Sequence, residues 1–195
     1  MYEHLAALYG GPPNQYHYSL YSKWSKYNWG MIITGNIQVS DRHLTLGRDM
    51  LVPKSISEDN LKPFKDLALS IHDGYQYTGA QDSKTFVERE YPSRRNLAVM
   101  QLSHAGRQSI NFLGGRSPFE PALAPSSIPV GSSGKPKNDN YLSHIFHRLV
   151  FQTPRSMSLA DIDEVVVAFV RGASLAVQSG FDGIQLHVAH GCEFS

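Results

Sequence analysis

The stretch from residue 158 to residue 188 constrains the fold more than any other part of the chain. Ser158 stands three residues before Asp161, the spacing of a capping box, and an apolar series follows at helical period: Ile162, Val165, Val166, Phe169, Ala173, Ala176 and Val177. Gly180 sits where a helix-ending glycine belongs. "FDGIQLHV" follows at once and alternates, with Ile184, Leu186 and Val188 on one face and Gln185 and His187 on the other. A long helix with a broad apolar stripe, feeding directly into a strand, must lie against a sheet. That is the βα unit of a parallel α/β fold.

The same pattern occurs twice upstream. "SLYSKWSKYNW" (19–29) places Leu20, Trp24 and Tyr27 at helical spacing ahead of Gly30. "GMIITGNIQV" then predicts a buried strand over 31–34 and a loop from Gly35. Residues 58–72 predict a second helix with Pro63 in its early part, where proline is best tolerated. "NLAVMQLSHAGRQS" (96–109) predicts a second strong strand, with Leu97, Val99, Gln101 and Ser103 on one face and Ala98, Met100, Leu102 and His104 on the other. Residues 73–95 read as a loop or a helix extension. Residues 110–157, rich in proline, glycine and serine, read as a long connection of the functional kind. The order is helix then strand, three times over, in a single unit spanning 1–195. The crossovers are expected to be right-handed.

Bulk properties exclude several classes. A formal net charge of +1 with 18% charged residues gives no field suited to nucleic acid or an anionic membrane surface. No apolar run approaches the roughly 20 residues of a membrane span. "MYEHLAALYGGPP" has no basic stretch ahead of an apolar core, so no secretion signal is expected. Cys192 is the sole cysteine, which excludes an intrachain disulfide and a cysteine-based zinc site. A cytoplasmic setting is the expectation.

In parallel α/β sheets, function gathers at the C-terminal ends of the strands. Gly35, Gln101 and His187 lie at or near such ends. The Gln101 amide can bond a heteroaromatic edge that offers an acceptor beside a donor, or be satisfied by neighbouring backbone. Gly35 permits close approach of a flat ligand, or serves only as a turn. His187 and His190 can aim two N–H groups at one oxygen, polarising a carbonyl or holding a phenolate. A metal site, with Glu193 the one close further ligand, and a purely structural pair are the alternatives. Arg107 suits a phosphate or carboxylate, or caps a strand end. Cys192 is a proton donor or an inert thiol.

The motifs "GMIITGNIQV", "LAVMQLSHAGRQS", "LAPSSIPV" and "GFDGIQLHVAHG" resemble, in order and spacing, the Old Yellow Enzyme family of FMN-dependent oxidoreductases, above all its fungal branch. "FQTPRSMSLADIDEVVVAFVRGAS" resembles the segment ahead of the family's fourth barrel strand. The resemblance implies a partial (β/α)8 TIM barrel, strands two to four with their helices. It implies FMN as cofactor, NAD(P)H as reductant, and reduction of activated alkenes such as α,β-unsaturated carbonyls. Gly35 matches the glycine lying near the flavin, and Gln101 the glutamine bonding the isoalloxazine edge. His187 and His190 match the pair that binds the substrate's carbonyl oxygen. Cys192 stands at the position of the usual proton-donating tyrosine, and Val188 where a small residue is common.

The family's first strand and strands five to eight, with the arginine and loops that grip the flavin, have no counterpart in these 195 residues. Three parallel strands do not close. Inward faces around Ile33, Val99 and Gln185 are therefore expected to meet water, favouring self-association or a complementary half-barrel as partner beside the small-molecule substrate. A catalytically inactive truncated remnant is the alternative reading.

Overall fold

The computed structural model describes residues 3–27, 29–73, 75–77, 84–86, 95–130, 145 and 148–189. In chain order the elements are α1 (Gln15–Ser25), β1 (Met31–Ile33), β2 (Ile37–Gln38), β3 (Met50–Leu51), α2 (Glu58–Asp73), β4 (Tyr75–Tyr77), β5 (Lys84–Phe86), β6 (Leu97–Ser103), β7 (Leu123–Ala124), β8 (Arg155–Ser156), α3 (Leu159–Gln178) and β9 (Gly183–Leu186).

The chain is α/β, and its parallel strands form part of a barrel. β6 is the middle strand. β1 pairs with its first half, Met31 opposite Leu97 and Ile33 opposite Val99; β2 pairs with its end, Ile37 opposite Leu102 and Gln38 opposite Ser103. β9 takes the opposite edge, with Gln185 opposite Gln101. β3 extends the sheet beyond β2. All of these pairings are parallel, while β4 and β5 form a separate antiparallel pair.

One detail of register governs the chemistry. Thr34, Gly35 and Asn36 separate β1 from β2, yet only Met100 and Gln101 separate their partners on β6. One strand carries an extra residue, as in a bulge, and its alternation changes phase there. Ile32 ahead of the extra residue, and Ile37 and Val39 after it, all reach the apolar core beside Ala98, Met100 and Leu102. Asn36 and Gln38 thereby turn to the other face. Thr34 bridges the gap: its N–H donates to Val99 O, and its Oγ1 accepts the Gln101 N–H, both at 3.0 Å.

The helices cover the apolar face. Leu61, Phe64, Leu67, Ala68 and Ile71 of α2 are buried there with Tyr18 and Tyr21 of α1. α3 begins with the expected box, Ser158 Oγ accepting the Asp161 N–H at 3.2 Å and Asp161 Oδ2 accepting the Ser158 N–H at 2.7 Å. Gly180, with φ +82°, follows its end. Gly172 is where α3 meets the sheet, since a Cβ there would lie 2.9 Å from Leu102 Cδ2. Among the described residues no helix is long and apolar enough to cross a membrane.

Three expectations need correction. α1 runs over Gln15–Ser25 rather than 19–29, and it buries His17, Tyr18, Tyr21, Ser22 and Ser25, leaving Tyr27 exposed beyond its end. Its buried face carries polar residues, Ser25 Oγ donating to Ser22 O at 2.9 Å and His17 Nδ1 accepting the Asn14 N–H at 3.2 Å, so the apolar spacing of Leu20, Trp24 and Tyr27 marks the wrong face. β6 stops at Ser103, after which the chain turns through a 3-10 segment at Gly106–Gln108. The buried stripe of α3 is Val165, Ala168, Phe169, Gly172, Leu175 and Ala176; Ile162, Val166 and Val177 face outward.

Candidate functional site

The face of the sheet away from the helices is polar at its C-terminal end. Register sets Gln101 opposite Gln185 and Gln38 opposite Ser103; one step beyond the paired residues, Asn36 precedes Ile37 toward the Gln101 row and His187 follows Leu186 toward the Ser103 row. The His187 N–H donates to Leu102 O at 2.9 Å, which continues the ladder one step past β9 and keeps His187 in phase with Gln185. Gln101 and His187 therefore share one side of the sheet on adjacent strands.

Within the first row, Gln101 is 8% exposed and its Nε2 donates to Gln185 Oε1 at 2.5 Å. Its Oε1 is buried and accepts no hydrogen bond. Asn36 is 5% exposed, and neither its Nδ2 nor its Oδ1 is bonded. In the second row, Gln38 Nε2 donates to Asp49 Oδ1 at 3.4 Å while Gln38 Oε1 and Ser103 Oγ are unbonded. Asp49 is otherwise held by the Thr45 N–H at 3.1 Å and by the Thr45 hydroxyl. Native interiors leave few buried polar atoms unbonded, and a cluster of them on one face suits a polar occupant, whether ordered water or a ligand.

Gly35 is buried beside this row, but the close approach there is made by the chain itself. Its N–H donates to Tyr21 Oη at 2.7 Å, Tyr21 in turn donates to Glu3 Oε1, and a Cβ on Gly35 would meet Glu3 Cδ at 2.9 Å. Burial pushes the Glu3 carboxyl upward in pKa; burial and the neighbouring Glu3 push the Tyr21 phenol upward. The backbone access expected at Gly35 thus admits Glu3, a contact that residues 32 positions apart in sequence do not advertise.

His104 and Arg107 are built into the scaffold rather than the polar rows. His104 stacks on His43 with ring centroids 4.3 Å apart. His43 is held neutral chiefly by burial, and its Nε2 accepts the Leu123 N–H at 3.0 Å. Arg107 caps a loop, donating to Ile128 O at 3.2 Å and Ser126 Oγ at 3.3 Å. Sequence reading missed Arg116, which pins the long connection: its Nη1 donates to Arg42 O and Ser109 Oγ, both at 2.6 Å, from a buried position that lowers its pKa. A cavity of about 220 Å³ opens among the nearby loops, lined by His4, Thr45, Leu46, Gln108, Ile110, Val130 and Phe151. Its wall is mostly apolar and includes neither Gln101 nor His187. His190, Cys192 and Glu193 lie outside the described residues. Among the described residues, no group of three or more His, Cys, Asp or Glu could hold a metal ion.

The profile of the NADH:flavin oxidoreductase / NADH oxidase family matches residues 4–192. The NADH-dependent flavin oxidoreductase iliE of Neonectria sp. (strain DH2) is 31% identical over 180 residues, 92% of this chain and 20% of that one. Its namesake in Hypocrea jecorina (strain QM6a) is 30% identical over 182 residues, 93% of this chain and 39% of that one. The chain thus spans well under half the length of these relatives. Among solved structures, the old yellow enzyme homologue from Zymomonas mobilis superposes with a TM-score of 0.66 at 19% identity, covering 98% of this chain and 43% of that one; this likeness concerns the fold.

Proposed function

Because the chain belongs to the NADH:flavin oxidoreductase / NADH oxidase family, we propose that it carries the ring-edge and substrate-oxygen determinants of an FMN-dependent reductase of activated alkenes. Bound FMN supplies hydride transfer from NAD(P)H to the β-carbon of an α,β-unsaturated carbonyl compound. The residues of this chain bind and orient. Gln101 offers its unbonded Oε1 to the ring's imide N–H, with Gln185 holding the other end of its amide. His187, with His190 assigned the same role from the sequence motif alone, would donate N–H to the substrate's carbonyl oxygen, which favours the charge that develops there during reduction. Cys192 matches in sequence the position of the family's proton-donating tyrosine, and we assign it proton delivery to the α-carbon. A thiol has an unperturbed pKa of about 8.5 against about 10 for a phenol, so proton delivery here follows a different pH dependence. Gly35, closed over by Glu3, borders the ring site.

The observation that carries this reading is the placement of Gln101 and His187 on one face of adjacent parallel strands, in a chain of this family. The fit with a flavin edge rests on the buried, unbonded Gln101 oxygen. The test is titration of FMN with the purified full chain, followed by flavin fluorescence, then anaerobic NADH or NADPH oxidation with 2-cyclohexenone as acceptor. Saturable quenching that is lost in Gln101→Leu supports the reading. Absence of any binding by the unsubstituted chain overturns it.

A second reading has its own support. Ile184 and Leu186 of β9, and Val166, Val167 and Val170 of α3, are exposed apolar residues beside an open strand edge. Such a surface suits a complementary half-barrel of the same family, whose first strand would add to β9. Co-expression with a family half-barrel comprising strands five to eight tests it: co-purification at equal stoichiometry is expected, and independent elution of the two pieces refutes it.

A further inference from the structure

We propose that Asn36 is a second reader of the cofactor's ring edge, acting beside Gln101; this rests on the flavin reading above. Asn36 and Gln101 each lie one residue before the paired Ile37 and Leu102, whose side chains enter the core, so the phase change at 34–36 turns Asn36 to the polar face on the side of Gln101. Both side chains are more than nine-tenths buried. Of their four amide ends, one is bonded, Gln101 Nε2 to Gln185; Asn36 Nδ2, Asn36 Oδ1 and Gln101 Oε1 are not.

A single ligand that satisfies this set must present a donor to Gln101 Oε1 and, next to it, an acceptor to Asn36 Nδ2. A cyclic imide does so, because its N–H is flanked by two carbonyl oxygens. The pyrimidine end of a flavin is such an imide. With Gln185 occupying the Gln101 nitrogen, Gln101 can offer only its oxygen, so it takes the imide N–H and leaves the adjacent carbonyl to Asn36. Gln38 is the weaker candidate, since its amide nitrogen is engaged with Asp49. Sites built on hydrogen-bonded polar groups discriminate strongly, because an ill-matched ligand leaves those groups unpaired.

The test separates a ligand-reading role from a structural one by two signs that oppose each other. Asn36→Leu removes two unbonded polar atoms from a buried site, so the ligand-free protein should melt at the same or a higher temperature. FMN affinity, measured by fluorescence quenching, should fall roughly tenfold. Asn36→Asp, which cannot donate to a ring carbonyl, should lower affinity at least as far, with circular dichroism reporting retained fold. FMN methylated at the imide nitrogen should bind the unsubstituted chain roughly tenfold more weakly than FMN. If Asn36→Leu binds FMN as well as the unsubstituted chain does, the proposal is wrong while the flavin reading stands. A large drop in melting temperature with unchanged affinity likewise assigns Asn36 to structure. If the unsubstituted chain binds no FMN, the flavin reading falls and takes the proposal with it.

Discussion

Gln101 and Gln185 face each other across a parallel ladder, and the amide nitrogen of the first donates to the amide oxygen of the second at 2.5 Å. Gln185 is exposed while Gln101 is buried, so the pair joins solvent to the interior of the polar face. Replacing Gln185 by Leu frees the Gln101 amide to rotate without opening the core. We expect a melting temperature within a degree or two of the unsubstituted chain and FMN affinity lower by about five- to tenfold, the worth of one well-placed hydrogen bond. Paired thermal melts and flavin titrations measure both.

Gly172 is a packing position. A side chain there drives into Leu102 and, at 3.4 Å, into Val52. Gly172→Val should destabilise the chain by about 1–3 kcal/mol through overpacking. A urea midpoint unchanged from that of the parent would show that α3 can lift from the sheet without cost.

His17 makes the fold acid-sensitive. It is fully buried in α1, its Nδ1 accepts the Asn14 N–H at 3.2 Å, and burial lowers its pKa to about 4. The native state therefore binds this proton less readily than the unfolded chain. Stability is lost as pH falls from 6.5 toward 4, by about 3 kcal/mol in all. His17→Gln should flatten that slope in denaturant titrations at stepped pH, even if it lowers stability at neutral pH.

Glu3 acts in the opposite direction. Burial raises its pKa above 4.5, so the native state holds this proton more tightly than the unfolded chain does. Its contribution to stability is complete below pH 4.5 and is lost as pH rises through the elevated native value. Glu3→Gln keeps an acceptor for Tyr21 and should remove that loss, leaving the protein more stable at neutral pH than its parent. Denaturation curves at pH 4 and pH 7 for both proteins provide the comparison.

Much of this architecture was legible from alternation. β6 and β9 have strict parity, so spacing alone puts Gln101 with Ser103 on one face of the first and Gln185 with His187 on one face of the second; the register that joins the two faces is a property of the pairing. The Ser158 box and Gly180 bounded α3 because capping depends on local residues. The stripe of α3 was misplaced because valines stand on both sides of it, and only packing against Leu102 selects one. α1 was displaced because its buried face carries the polar residues His17, Ser22 and Ser25, which an apolar count passes over. Asn36 and Glu3 were invisible for a different reason. One depends on comparing residue counts between two strands, and the other on a contact between the N-terminal segment and a strand end. Neither relationship is a property of any single segment.

The extra residue between β1 and β2 shapes the path of the strand. Excising Gly35 would leave Thr34 and Asn36 opposite Met100 and Gln101, a regular pairing in which Ile37 still meets Leu102 and Asn36 still points away from the core. What would vanish is the kink that sets the Thr34 hydroxyl against the Gln101 N–H and gives Glu3 its niche beside a residue without a side chain. The surplus residue thus buckles the backbone at this spot, while the flanking pairs decide which side chains are oily.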